Sequence, residues 1–318
     1  VQHRPKVNRI QLFPLTTGDL DGTKLPGDAM TEKPVPAQIP LIQLTTLWFQ
    51  VAGTQCNLRC SHCFISCGPD DSRLGMMTRA EIQPHAEEAR KLGVKEFYLT
   101  GGEPFLNSEL PEILDDLLKA GNVTVLSNGT LVTSAMADRL RTVQKQRPNT
   151  LTLRVSMESP DEAANDMVRG EGSFRKAATG IKNLLNAGFN PIITATQNGN
   201  ADIADDMARW ASLLGAPEPR VKVMPALYMG RAAESIRPYR DNERVTEGCF
   251  TNYNFPKGNL QCSWCRMVTS NGVHVCPILV DHPPARMGAT LQESLGAYTL
   301  DHPACYTCRV MGLCCSDT

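Results

Sequence analysis

The segment Gly53-Thr54-Gln55-Cys56-Asn57-Leu58-Arg59-Cys60-Ser61-His62-Cys63 decides how the rest of the chain is read. Its cysteines are spaced C-x3-C-x2-C, directly after the apolar, aromatic run Thr46 to Ala52, which has the look of a strand. Three thiolates on one short loop can hold three irons of a four-iron four-sulfur (4Fe-4S) cluster and leave the fourth iron open to a small molecule. A partial zinc site, or simply buried thiols, are the other readings of the same residues.

Outward from this loop the chain alternates. Strand-like runs recur at Glu96 to Thr100, Val123 to Ser127, Leu151 to Met157, Pro191 to Thr196 and Arg220 to Met224. Amphipathic stretches separate them: Thr78 to Leu92, Glu109 to Ala120, Ser134 to Gln146, Phe174 to Ala187 and Ile203 to Leu214. Thr78 with Glu81 makes a capping box, and Gly93, Gly121, Gly188 and Gly215 stand where helices stop. Six strand-like runs alternating with five helix-like stretches predict an α/β fold with a parallel sheet, open or closed, whose ligands sit at the C-terminal strand ends. Polar or glycine-rich clusters follow the strands in turn: the cysteine loop, then TGGEP, SNGT, SMES and QNGN. They are expected to converge on one mouth.

Twelve cysteines fall into two groups. Cys56, Cys60, Cys63 and Cys67 are early, residues 68–248 have none, and eight lie from Cys249 to Cys315. With 32 basic and 33 acidic residues the net charge is -1, which offers neither a basic nucleic-acid surface nor a polybasic membrane surface. No apolar run approaches the roughly 18 residues of a membrane span, and the first residues lack a signal-peptide layout. A cytoplasmic location, where clustered thiols stay reduced and bind metal, is the expectation.

CNLRCSHC resembles the signature of the radical SAM superfamily. The resemblance runs from about Leu44 to Met229 and implies a partial (β/α)6 TIM barrel, residues 44–229, after an N-terminal extension, 1–43. It further implies that Cys56, Cys60 and Cys63 ligate a 4Fe-4S cluster whose open iron takes the amino and carboxylate groups of S-adenosyl-L-methionine (SAM). Reductive cleavage of SAM then gives a 5'-deoxyadenosyl radical. Gly101, Gly102, Glu103 and Pro104 match the motif that receives the methionyl amino group, a carboxylate facing an ammonium. Ser156 matches a serine presented to the cofactor, Glu158 an acidic ribose contact, and Arg169 the arginine that pairs with the methionyl carboxylate. Asn128 in SNGT is a further cofactor contact. His62 departs from the aromatic residue that many members have before the third cysteine.

Residues 230–318, rich in Cys, Gly and Pro, are expected to form a small loop-rich domain held by metal. Cys305, Cys308 and Cys314 (C-x2-C-x5-C), with Cys262, Cys265, Gly272 and Cys276 upstream, resemble the SPASM or shortened "twitch" domain. That implies one or two auxiliary 4Fe-4S clusters, with Cys315 in the ligand set. A structural zinc site is the alternative.

Cys249 lies outside both patterns, and Cys67 is expected to be structural. At the junction after the last barrel strand, Cys249 is either a hydrogen-atom donor to a carbon radical, a fourth cluster ligand or a buried small hydrophobe. As a whole the sequence resembles the radical SAM epimerases of aminoglycoside biosynthesis. The implied reaction converts neomycin C to neomycin B by inversion at C5 of the terminal diamino sugar, with a flavodoxin or ferredoxin as electron donor. Asp70, Asp71, Glu171, Glu247 and Asp281 are loop acids available to such a polycation. The alternative is a radical SAM maturase of a ribosomal peptide, forming an epimer, thioether or cross-link; against it, the chain leaves little room for a leader-binding domain of about 80 residues. A non-enzymatic iron-sulfur or zinc scaffold would have no need of the GGEP glutamate.

Overall fold

The computed structural model describes residues 35–197, 199–251 and 256–311. After a two-residue strand, β1 (Gln38–Ile39), six parallel strands lie side by side in chain order. They are β2 (Thr46–Gln50), β3 (Glu96–Thr100), β4 (Asn122–Ser127), β5 (Leu151–Ser156), β6 (Ile192–Thr196) and β7 (Arg220–Met224). The crossovers run through α1 (Arg79–Lys91), α2 (Leu110–Leu117), α3 (Ser134–Lys145), the pair α4 (Glu162–Arg169) and α5 (Ser173–Asn186), and α6 (Ile203–Leu213). Parallel neighbours cannot be joined by a tight turn, so each return needs a helix, and the result is the partial (β/α)6 barrel.

Alternation along the strands builds two cores. Leu47, Phe49, Phe97, Leu99, Val123, Val125, Leu153 and Val155 pack with Ile113, Leu114, Leu140, Ile181 and Leu184 of the helices. Each such buried side chain contributes roughly 1.5–3 kcal/mol. The intervening residues Trp48, Tyr98, Leu126 and Met224 join a second cluster with Leu260, Val275, Leu279 and Leu300. Trp48 stacks on Tyr98 with ring centroids 4.3 Å apart. At α1 the capping box forms as the sequence indicates: Glu81 N–H donates to Thr78 Oγ1 (3.2 Å), and Thr78 N–H donates to Glu81 Oε2 (2.7 Å).

The cysteine-rich region is less loop-like than expected. Strand β8 (Cys265–Thr269) lies parallel on β2, with Thr46 opposite Cys265 and Phe49 opposite Val268. Hairpin strands β9 (Gly272–His274) and β10 (Arg286–Gly288) continue the sheet to nine strands, and β11 (Tyr298–Thr299) pairs with β1. Short helices α7 (Arg231–Ser235) and α8 (Gly248–Thr251) and the longer α9 (Ala304–Met311) complete the region. All five residues of β8 are buried, so it shows no polar-apolar alternation. Among the described residues no helix is long and apolar enough to cross a membrane.

Candidate active site

Cys56, Cys60 and Cys63 stand on the loop after β2, and the turn after β3 is stitched to it. Gly102 N–H donates to Gly53 O (2.9 Å) and Glu103 N–H to Gln55 O (3.0 Å). A Cβ on Gly102 would lie 1.9 Å from Gln55 O. The glycine therefore permits the close approach of one loop to another.

The Glu103 side chain is fully buried. Oε1 accepts from Phe105 N (3.0 Å) and Ser127 Oγ (2.8 Å), and Oε2 from Asn128 N (2.7 Å). Burial raises its pKa to about 6, against the pull of these donors. Its role is to tie the end of β3 to the end of β4, with Pro104 starting a single tight turn. Asn128, fixed this way, donates from Nδ2 to Cys56 Sγ (3.8 Å) and to Asn57 Oδ1 (2.9 Å).

The thiols differ from one another. Burial pushes Cys56 up to about 12, with added repulsion from Cys60 and Cys63. Burial also raises Cys60, though Arg169 opposes it. Cys63 is lowered to about 5, chiefly because the Cys67 thiol donates a hydrogen bond to it, and Cys67 is raised in turn and keeps its proton. Cys67 is thus a thiol that supports its neighbour Cys63.

Glu158, Arg169 and His62 form one buried network. Glu158 Oε1 accepts from Arg169 Nε (3.0 Å) and Nη2 (2.5 Å) and meets His62 Nε2 at 3.0 Å, while Oε2 accepts from Thr196 N (2.8 Å). Burial works against the charge, yet Arg169 and His62 hold this carboxyl down to about 2. Arg169 is the last residue of α4 and is paired with Glu158. Ser156 ends β5 opposite Thr194 of β6.

These donors fit an iron-sulfur cluster with a small cofactor beside it. Among the described residues no three His, Cys, Asp or Glu side chains gather around one ion-sized point. Cys56, Cys60 and Cys63 suit one thiolate per iron rather than a single zinc ion. A profile of the Radical SAM superfamily matches residues 51–210, half of the chain.

The chain belongs to the radical SAM superfamily.

Members of this superfamily use a 4Fe-4S cluster and SAM. The mycofactocin maturase MftC of Mycolicibacterium smegmatis is 29% identical over 196 residues, covering 59% of this chain and 47% of MftC. The antilisterial bacteriocin subtilosin biosynthesis protein AlbA of Bacillus subtilis is 29% identical over 193 residues, 60% of this chain and 41% of AlbA. The matched part is therefore less than half the length of each of these relatives. Among solved structures, Streptococcus suis SuiB bound to S-adenosylmethionine aligns with a TM-score of 0.60 and 16% identity, over 80% of this chain and 65% of SuiB. AdoMet-bound anSMEcpe aligns with a TM-score of 0.56 and 17% identity, over 79% of each chain. These last two likenesses show the fold.

Beyond the radical SAM loop, Cys262, Cys276, Cys305 and Cys308 line one cavity. Leu260, Val275, Ile278, Leu279, Tyr298 and Leu300 form the rest of its wall. Burial pushes Cys276 up to about 12 and Cys262 and Cys305 well above the ordinary thiol value. Thiols raised in this way stay protonated until a metal displaces the proton, and with Cys308 they number four, which suits a fully ligated auxiliary cluster. Cys265, also expected as a ligand, is fully buried at the start of β8 and is not among the residues lining the cavity. Cys314 and Cys315 lie outside the described residues.

Cys249 sits on α8, half-buried, with Sγ 3.6 Å from Thr246 Oγ1. Its carbonyl accepts from Arg309 Nη2 (3.0 Å), which ties it to α9, the helix of Cys305 and Cys308. Four of the five loop acids are already engaged. Asp70 pairs with Arg59, Asp71 and Asp281 share Arg73, and Glu247 pairs with Lys257.

Proposed function

We propose that this radical SAM enzyme is an epimerase that inverts C5 of the terminal diamino sugar of an aminoglycoside, converting neomycin C to neomycin B. The observation that carries this reading is Cys249, a half-buried thiol outside both cysteine sets and held against the helix that bears Cys305 and Cys308. When bound, the cluster and SAM supply a 5'-deoxyadenosyl radical, which takes a hydrogen atom from carbon.

The chain's own residues do the rest. Cys56, Cys60 and Cys63 would ligate the cluster, with Asn128 and Cys67 fixing two of their sulfurs. Gly101, Gly102, Glu103 and Pro104 would receive the methionyl end of SAM, and Ser156, Glu158 and Arg169 would be further cofactor contacts. Cys262, Cys276, Cys305 and Cys308 would hold one auxiliary cluster. Cys249 gives its hydrogen atom to the opposite face of the sugar: the S–H bond breaks, the C–H bond forms, and a thiyl radical remains on Sγ. One electron and one proton restore the thiol, the electron coming from a donor of the flavodoxin or ferredoxin class. A cytoplasmic location suits a thiol that must stay reduced.

The curated relatives favour a second reading, maturation of a ribosomal peptide. MftC is named a maturase and AlbA a bacteriocin biosynthesis protein, and on likeness alone this reading is the better supported. The pairing of Asp70, Asp71, Glu247 and Asp281 also leaves fewer free carboxylates for a polycation.

The test is anaerobic turnover of reconstituted protein with SAM, reductant and neomycin C in deuterated water. The epimerase predicts deuterium at one inverted carbon. It also predicts that Cys249→Ala still makes 5'-deoxyadenosine but no epimer. Deoxyadenosine with an unchanged aminoglycoside sinks the first reading and directs the search to peptides.

A further inference from the structure

Immediately after the last barrel strand and its loop, the chain turns back onto the radical SAM loop at Gly230 and Arg231. All three arms of the Arg231 guanidinium meet backbone carbonyls of that loop: Nε donates to Cys60 O (2.8 Å), Nη1 to Ser66 O (2.8 Å) and Nη2 to Cys67 O (2.6 Å). The Arg231 N–H donates to Cys63 O (3.1 Å) and to Ser66 Oγ (2.9 Å). Ser66 is the one non-glycine residue with positive φ (61°) among the described residues, so the loop is held there in a conformation that costs energy. Gly230 is needed for the contact, since a Cβ on it would lie 2.4 Å from Phe64 O and 2.8 Å from Cys63 O. Five positions after Gly230, Ser235 Oγ donates to Ser61 O (2.8 Å).

We infer that Arg231 is a positioning residue of the radical SAM cluster, fixing the cysteine loop through its forked hydrogen bonds and raising the cluster's reduction potential through its charge. A planar guanidinium can satisfy three carbonyls at once, which a lysine ammonium on a flexible stem cannot do in the same geometry. A fixed positive charge beside the thiolates favours the more negative, reduced cluster. The inference rests on membership of the superfamily and on neither reading of the substrate.

The test compares reconstituted wild type, Arg231→Gln and Arg231→Lys by EPR-monitored redox titration, iron content and amide hydrogen exchange of residues 56–68. Arg231→Gln should shift the midpoint of the SAM-binding cluster to more negative potential, with the auxiliary cluster unmoved as internal reference. Arg231→Lys should keep most of the potential yet speed exchange across the loop, because the charge stays and the fork is lost. An unchanged potential in iron-replete Arg231→Gln overturns the electrostatic role. An equal fall in Arg231→Lys overturns it too, by assigning the effect to geometry. Should the glutamine variant fail to hold iron, Arg231→Lys decides alone: wild-type exchange rates across the loop overturn the clamp. A superfamily-level failure would show separately, as no effect of SAM on the wild-type EPR signal.

Discussion

The side-chain amide of Asn128 donates to the sulfur of Cys56 across 3.8 Å, joining the end of β4 to the first cysteine of the cluster loop. A donor aimed at a ligating sulfur tunes the metal beyond what the ligands set. Asn128→Ala should leave iron content intact and lower the rate of 5'-deoxyadenosine formation about tenfold, the rate equivalent of roughly 1.4 kcal/mol. Liquid chromatography of quenched reactions measures it.

Glu158 and Arg169 are both buried, and removing one leaves the other's charge without a partner. Glu158→Gln should cost roughly 3–5 kcal/mol of stability, read as a fall in Tm. The pH dependence has a definite sign. Because the folded carboxyl is held at about 2, below its ordinary 4.5, its contribution is complete above that value and disappears as pH falls towards 2. The glutamine variant should have a flatter acid limb between pH 5 and 2 in Tm measurements.

Iron analysis reads the auxiliary site directly. Cys276→Ala should remove about four irons per chain, one cluster's worth.

The turn after β3 has no room for a methyl group at Gly102, whose nearest neighbour would be a backbone oxygen at 1.9 Å. Gly102→Ala should displace the cluster loop, cost about 1–3 kcal/mol as overpacking does, and yield protein deficient in the radical SAM cluster. Circular dichroism melts and the cluster's visible absorbance read the two effects independently.

Much of the barrel was legible because its residues obey simple periods. The six parallel strands carry apolar side chains on every second residue against the helices, and Thr78 with Glu81 announces α1 outright. Helix α4 escaped notice because its buried residues are Asn165 and Arg169 and its Met167 is exposed, so no apolar stripe marks it. Strand β8 escaped for the opposite reason, being buried at every position with Arg266 among its residues. Arg266 is accommodated by donating to Ser294 O, Cys262 O, Cys265 O and Gly296 O, a solution that only the tertiary structure displays. At the site, the cysteine spacing identified the loop. The inward turn of Glu103 depends on contacts with the distant residues Ser127 and Asn128.

The parallel pairing of β8 on β2 has a mechanical consequence. The strand that delivers Cys56 and the strand that follows Cys262 are adjacent rungs of one ladder, Thr46 against Cys265 and Phe49 against Val268. A slip of one residue would turn every side chain of β8 to the wrong face, so the register is locked by burial. Any electron tunnelling between the two sulfur-rich sites crosses a gap gauged by the sheet itself, as constant as the spacing between its strands.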